Sequence, residues 1–177
     1  MKSLFDSFYN KYHQDLYNYV IYMVKNKQLA EDLIQEIYIR VIKSYENFRG
    51  DSSEKTWLFS IARHVTYDFF RSQKRKRKYT IETFNWEEQG ENILADEALP
   101  EELMIQNERM QLIYECLDQC TLDQKNIIIL RFIQEFTLQE TADILGMTVS
   151  KVKTTQHRGI KTLRKLLERE NKKGADL

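Results

Sequence analysis

Chain breakers are almost missing from this sequence. One proline and five glycines in 177 residues leave few places for tight hairpins. Strand-like alternation of apolar and polar residues is equally scarce, and the expected fold is all-α, with two small helical domains joined by a linker. Two cysteines, Cys116 and Cys120, are too few for a disulfide framework. With His13, His64 and His157 scattered along the chain they make no zinc set either, and their spacing of four on a predicted helix suits small core residues. No signal peptide and no apolar run of about 18 residues is present, so a soluble, cytoplasmic protein is expected. Net charge is also lacking, with 27 basic against 27 acidic residues. No serine or cysteine stands beside a plausible base, and the acids between residues 76 and 100 show no metal-ligand spacing. An enzyme acting on DNA is therefore the weakest of the functional readings, and no cofactor is expected.

What the chain does have is segregated charge. Residues 71–78 (RSQKRKRK) carry six bases and no acid, residues 81–108 carry nine acids and no Lys or Arg, and residues 145–173 carry nine bases against two acids. A balanced total thus conceals two basic surfaces separated by an acidic segment. The apolar fraction of 42% is enough for a packed core.

The most informative stretch is TLQETADILGMTVSKVKTTQHRGIKTLR, residues 137–164. Thr137 and Glu140 form a capping box, and Gly146 stands where the first helix must stop. Ala142 is small where two helices cross, and Leu145, Met147 and Val152 supply a core between them. Past the turn, Lys151, Lys153, Arg158, Lys161, Arg164 and Lys165 make the second helix strongly basic. Capping box, small residue, turn glycine and basic helix in that order predict a helix-turn-helix able to enter a DNA major groove.

Upstream, helical period runs through residues 3–25 and again from about 29 to 46. In the second segment Leu33, Ile37, Val41 and Tyr45 form a core stripe, while Asp32, Gln35, Glu36 and Ile39 make a separate face, polar except for the isoleucine. A loop at residues 47–53 follows, then a helix from about 54 to 73 in which aromatics alternate with Arg63, His64 and Arg71. Rings interleaved with cations suit single-stranded nucleic acid. Periodicity fades from about 74 to 100, an acidic stretch with Phe84 and Trp86 available to dock elsewhere. Some 25 extended residues reach on the order of 80 Å, so the flanking domains need not touch. Thr121 or Asp123 caps a later helix containing Ile127–Ile133, whose six apolar residues in seven need a second apolar surface.

Three segments carry a family resemblance. Ala30-Glu31-Asp32-Leu33-Ile34-Gln35-Glu36, Phe48–Ser52 with Thr56–Arg63, and Glu140–Arg164 together resemble the bacterial extracytoplasmic-function sigma factors of the sigma-70 family. The resemblance implies a region 2 over residues 1–75, a flexible acidic linker over 76–100, a region 4 over 101–172 and a tail at 173–177. It implies that Asp32, Gln35 and Glu36 dock on the β′ coiled coil of core RNA polymerase, with the β flap as a second contact. It implies that Phe48, Arg49, Gly50, Asp51, Ser52 and Ser53 enclose a flipped base of the promoter −10 element, with Arg63, His64 and Arg71 on the separated strand. Unstacking a base costs a few kcal/mol, and a loop of small residues with free backbone groups can offset it. Ser150, Lys151, Lys153, Thr154, His157 and Arg158 are implied to read the −35 element. A membrane-anchored anti-sigma factor and a role in envelope stress are implied as well, and no small-molecule substrate.

Two positions leave the family pattern. Thr154-Thr155 stands where Ser-Arg is frequent, and Gly159 replaces the usual alanine at about 1 kcal/mol of helix propensity. The rival to a polymerase subunit is a stand-alone helix-turn-helix regulator, which would bind a palindromic duplex unaided. A further expectation is that the acidic linker folds onto the basic surfaces and suppresses DNA binding by the free chain.

Overall fold

The computed structural model describes residues 2–83 and 108–175. Among them the regular structure is entirely helical: α1 (Lys2–Val24), α2 (Lys27–Ser44), a 3₁₀ turn (Tyr45–Asn47), α3 (Glu54–Thr83), α4 (Glu108–Leu117), α5 (Leu122–Ile128), a π turn (Ile129–Ile133), α6 (Leu138–Leu145) and α7 (Val149–Ala175). The linker residues 84–107, with Phe84 and Trp86, lie outside the described residues.

Helices α1 to α3 form the N-terminal lobe. Their starts follow from local chemistry. The Asn26 side chain accepts from Leu29 N at 2.7 Å to cap α2, and Ser53 Oγ accepts from Thr56 N at 3.1 Å to cap α3. Lys25, held at φ 54° between α1 and α2, turns the chain sharply enough to make the two antiparallel. Leu16, Tyr19, Val20, Ile37, Val41, Leu58 and Phe59 fill the space between the three helices. The third helix outruns its expected end near residue 73 by ten residues and carries the basic run on regular helix, because lysine and arginine have good helix propensity and no breaker intervenes.

The C-terminal lobe is α4 to α7. Thr121 and Gln124 make a second capping box at the start of α5, so Thr121 is the cap and Asp123 is free for another contact. The apolar run expected to be one helix changes form at Ile129, where α5 widens into the π turn. That widening uses the run's excess of apolar residues. Ile127, Ile128, Ile129 and Leu130 are all buried, while Phe132 is turned out and 55% exposed.

The two lobes pack together. Helix α3 lies along α6, and buried residues of both lobes belong to one apolar cluster. Domains that need not touch do touch.

Candidate nucleic-acid interface

The helix-turn-helix is α6 and α7. Thr137 Oγ1 accepts from Glu140 N at 3.2 Å, and Glu140 Oε2 accepts from Thr137 N at 2.8 Å, completing the capping box. At the other end Gly146 takes φ 61°, its N–H bonding Asp143 O and that of Met147 bonding Ala142 O. This paired closure requires the left-handed residue, where a side chain would be strained. Thr148 then caps α7 by accepting from Lys151 N at 3.2 Å.

Helix α7 is sorted by side. Ser150, Lys151, Lys153, Thr154, His157, Arg158, Lys161, Arg164 and Lys165 are exposed, while Val152 and Gly159 are buried. At 100° per residue the exposed set sweeps roughly 160° of the helix circumference, with Val152 and Gly159 opposite. All six residues predicted for the −35 element thus share one open, basic face. Gly159 has a packing explanation: a Cβ there would come within 3.2 Å of Gln124 Cβ and of Ile128 Cδ1, so the glycine lets α7 cross α5 closely. Arg131, read in the sequence only as an interruption of an apolar run, fixes the helix from behind. Its Nε donates to Gln156 Oε1 at 3.1 Å, and its Nη1 donates to Phe136 O. A lone arginine among six apolar residues was the available signal.

The loop after α2 is anchored at its base by aromatics. Phe48 packs on Trp57 with ring centroids 4.9 Å apart, and Tyr45 and Phe8 meet the same indole. Beyond Phe48 the chain is open: Arg49, Gly50 and Asp51 are exposed, Ser52 is half-buried, and Gly50 has φ 75°. Ser53 is committed to capping α3. On α3, His64 is exposed, its Nδ1 donating to Ser60 O at 2.7 Å, and Arg71 projects near Asp68 two turns further on the same side. Arg63 is different. It is half-buried with its guanidinium 4.5 Å from the Tyr67 ring centroid, and its Nε is buried without a hydrogen-bond partner. The structure therefore gathers His64 and Arg71 but directs Arg63 toward the junction of the lobes.

On α2, Asp32, Gln35 and Glu36 are exposed together. Glu36 pairs with Arg40 at 2.5 Å, and Arg40 continues to Asp68 of α3 at 3.5 Å. Ile39 is 51% exposed beside them, an apolar member of the face that the predicted set of three omits. Gln35 and Ile39 border a hollow of about 510 Å³ walled by Phe5, Tyr9, His13 and Tyr38. His13 stacks on Tyr9 at 4.1 Å, and burial pushes the pKa of its imidazole down.

Among the described residues no group of His, Cys, Asp and Glu is placed to hold a metal, and no helix is long and apolar enough to cross a membrane.

A helical lobe with an exposed polar helix and an open loop, followed by a lobe ending in a basic helix-turn-helix, defines a promoter-recognition subunit of the sigma-70 class. Residues 8–76 match Sigma-70 region 2, and residues 116–165 match Sigma-70, region 4. The chain is 54% identical to the ECF RNA polymerase sigma factor SigX of Bacillus subtilis (strain 168), over 95% of its own length and 86% of that protein. It is 30% identical to the RNA polymerase sigma factor YlaC of the same organism, covering 90% of each. The protein belongs to the extracytoplasmic-function sigma factors. Among solved structures, the fold resembles the sigma factor RpoE, determined with the anti-sigma factor NepR from Bartonella quintana, with TM-score 0.71, 22% identity and coverage of 93% and 96% of the two chains. It also resembles CnrH, determined with the cytosolic domain of CnrY, with TM-score 0.68, 16% identity and coverage of 95% and 90%. As a sigma factor the protein is not an enzyme. It directs RNA polymerase to promoters and initiates transcription there.

Proposed function

We propose the following division of labour. Asp32, Gln35 and Glu36 seat the N-terminal lobe on the β′ coiled coil of core polymerase, with Ile39 supplying apolar area at the centre of that face. The loop from Phe48 to Ser53 takes a base flipped from the −10 element, and Arg63, His64 and Arg71 hold the phosphates of the separated strand. Helix α7 reads the −35 duplex through Ser150, Lys151, Lys153, Thr154, His157 and Arg158. The protein works in the cytoplasm, in an envelope or stress response, under an anti-sigma factor anchored in the membrane.

The observation that carries this reading is the basic face of α7. Cations and hydrogen-bonding side chains alternate along it, the capped turn holds its first residues forward, and no acid interrupts it before Glu168. Bidentate cations discriminate bases in the major groove, whereas a merely solvated helix needs no such sorting. The test is run-off transcription with core polymerase on genomic fragments. Discrete start sites are expected, lost on Arg158→Ala combined with His157→Ala and retained on substitution of Glu115, which lies elsewhere. Absence of initiation from every fragment overturns the reading.

A further inference from the structure

The loop between α2 and α3 has two ends, and the second is tied down by charge. Its upstream end rests on the packing of Phe48 against Trp57. Its downstream end is Ser53, whose hydroxyl accepts from Thr56 N at 3.1 Å and whose carbonyl accepts from Trp57 N at 3.0 Å. The next residue, Glu54, opens α3 and reaches back to α1. Glu54 Oε2 accepts from Lys11 Nζ at 2.8 Å and from Tyr12 OH at 3.1 Å. Lys55, beside it, pairs with Asp15 at 2.7 Å. Tyr12 is buried and its ring meets Phe8, which in turn meets Tyr45 and Trp57. Both ends of the loop thus lead to the same stretch of α1.

The order of these charges matters. Lys11 and Asp15 lie one turn apart on the same side of α1, and Glu54 and Lys55 are consecutive on α3. Each acid meets a base in the observed register. A slip of α3 along α1, or a rotation about its own axis, would carry Glu54 toward Asp15 or Lys55 toward Lys11, and like charges would meet. The Lys11 and Glu54 side chains are 58% and 36% exposed, and exposed pairs of this kind add little to stability. Their effect is on position. They select one placement of the first turn of α3 among placements of similar stability.

Position is what the loop needs. Only residues 49–52 separate the two anchors, and so short a span has little slack to absorb a shift of Ser53. Gly50 already takes φ 75° within it. A carboxylate is also out of place beside a surface that has to approach phosphates, because like charges repel there. The hydrogen bond from Lys11, with that from Tyr12, holds the Glu54 carboxyl below the usual carboxylate range. Glu54 is therefore kept as an anion and matched by a cation at contact distance. The pair is neutral toward DNA.

We propose that Glu54 is the positioning residue of the base-capturing loop, held by Lys11 and Tyr12 so that Ser53 and the loop tip stand where a flipped base is received. The proposal rests on the base-capture reading above and deepens it. Glu54 touches no base. It acts through Ser53, the residue before it, and through the registered first turn of α3. Its removal misplaces the loop and leaves the polymerase-facing side of α2 and the basic face of α7 as they are.

The test uses the full-length chain with core polymerase on non-template strands of a promoter mapped by run-off transcription. A fluorescent adenine analogue replaces each −10 base in turn and brightens when it leaves the stack. The wild type is expected to brighten it at one position. Glu54→Ala should reduce that rise by about threefold or more, the size an exposed ion pair can supply, with helicity, core affinity and binding of −35 duplex unchanged. Lys11→Glu should do the same. The exchanged pair, Lys11→Glu with Glu54→Lys, should regain most of the rise, because Tyr12 OH can accept as well as donate. A wild-type rise kept by Glu54→Ala overturns the positioning role and leaves base capture standing. So does a loss in Glu54→Ala that extends equally to −35 duplex and core affinity, or an exchanged pair that folds and regains nothing. If Glu54→Ala loses helicity, the exchanged pair decides by the same rule. A wild type that brightens the analogue nowhere sinks the base-capture reading and the positioning role together.

Discussion

The two elements proposed to meet DNA are held by different physics. The loop of the N-terminal lobe is fixed at one end by rings, Phe48 on Trp57 with Tyr45 and Phe8 behind, and its tip from Arg49 to Asp51 is unsupported. Helix α7 is fixed by backbone hydrogen bonds at Gly146, Met147 and Thr148 and by Arg131 from behind. Ring packing tolerates small rotations, whereas capping bonds demand set distances and angles. The difference suits the targets proposed for them. An unstacked base must be wrapped by a surface that adapts, and a duplex groove must be met by a helix that does not.

The contrast can be broken by mutation. The largest effect is expected for Trp57→Ala, which removes the ring that three other aromatics meet and should cost about 3 kcal/mol in urea unfolding. A loss below 1 kcal/mol would mean that the rings do not hold the loop. Next comes the junction. Tyr19→Phe leaves Asn126, whose Nδ2 already lacks a partner, without its donor, and should cost about 1–3 kcal/mol. Burial raises the Tyr19 phenol from 10.0 to about 12. Its contribution is therefore complete below the unfolded value near 10 and is lost as the pH climbs through about 12. The phenylalanine variant should lack that part of the alkaline loss, read from Tm against pH.

Thr137→Ala removes half a capping box and should cost about 1 kcal/mol, seen as a lower Tm, with the N-terminal rings undisturbed by near-ultraviolet dichroism. An equal change in both lobes would show that the junction couples them more tightly than the separate anchors suggest. The smallest effect is expected for Gly159→Ala. A gain of about 1 kcal/mol in helix propensity opposes the crowding of Gln124 Cβ and Ile128 Cδ1 at 3.2 Å. Net destabilisation of under about 1 kcal/mol should result. A clear rise in Tm would show that α7 can move off α5 without cost.

Much of the site was legible before any coordinates. Thr137, Glu140 and Gly146 act through neighbours three to six residues away, so their roles follow from spacing alone. The exposed face Asp32, Gln35, Glu36 follows from a period of 3.6. Ile39 was visible as the odd member of that face, but its value depends on the hollow beside it, walled by Tyr9 and His13 from another helix. Arg63 sits in the expected helix, but its orientation is set by Tyr67 and by the second lobe. The acidic linker, expected to fold onto the basic surfaces, lies outside the described residues.

What the sequence determined by itself is therefore local or periodic: the helical runs, the Thr137 capping box, the basic face of α7 and membership of the sigma-factor family. Those properties depend on residues within two turns of each other, or on segments matched one by one. Only the tertiary structure decided that the lobes close on each other. Tyr19 and Asn126 are 107 positions apart, and Lys125 and Met23 are 102. No periodicity connects such residues. A tyrosine hydroxyl or a lysine reads as an ordinary surface group until the fold buries it beside its partner.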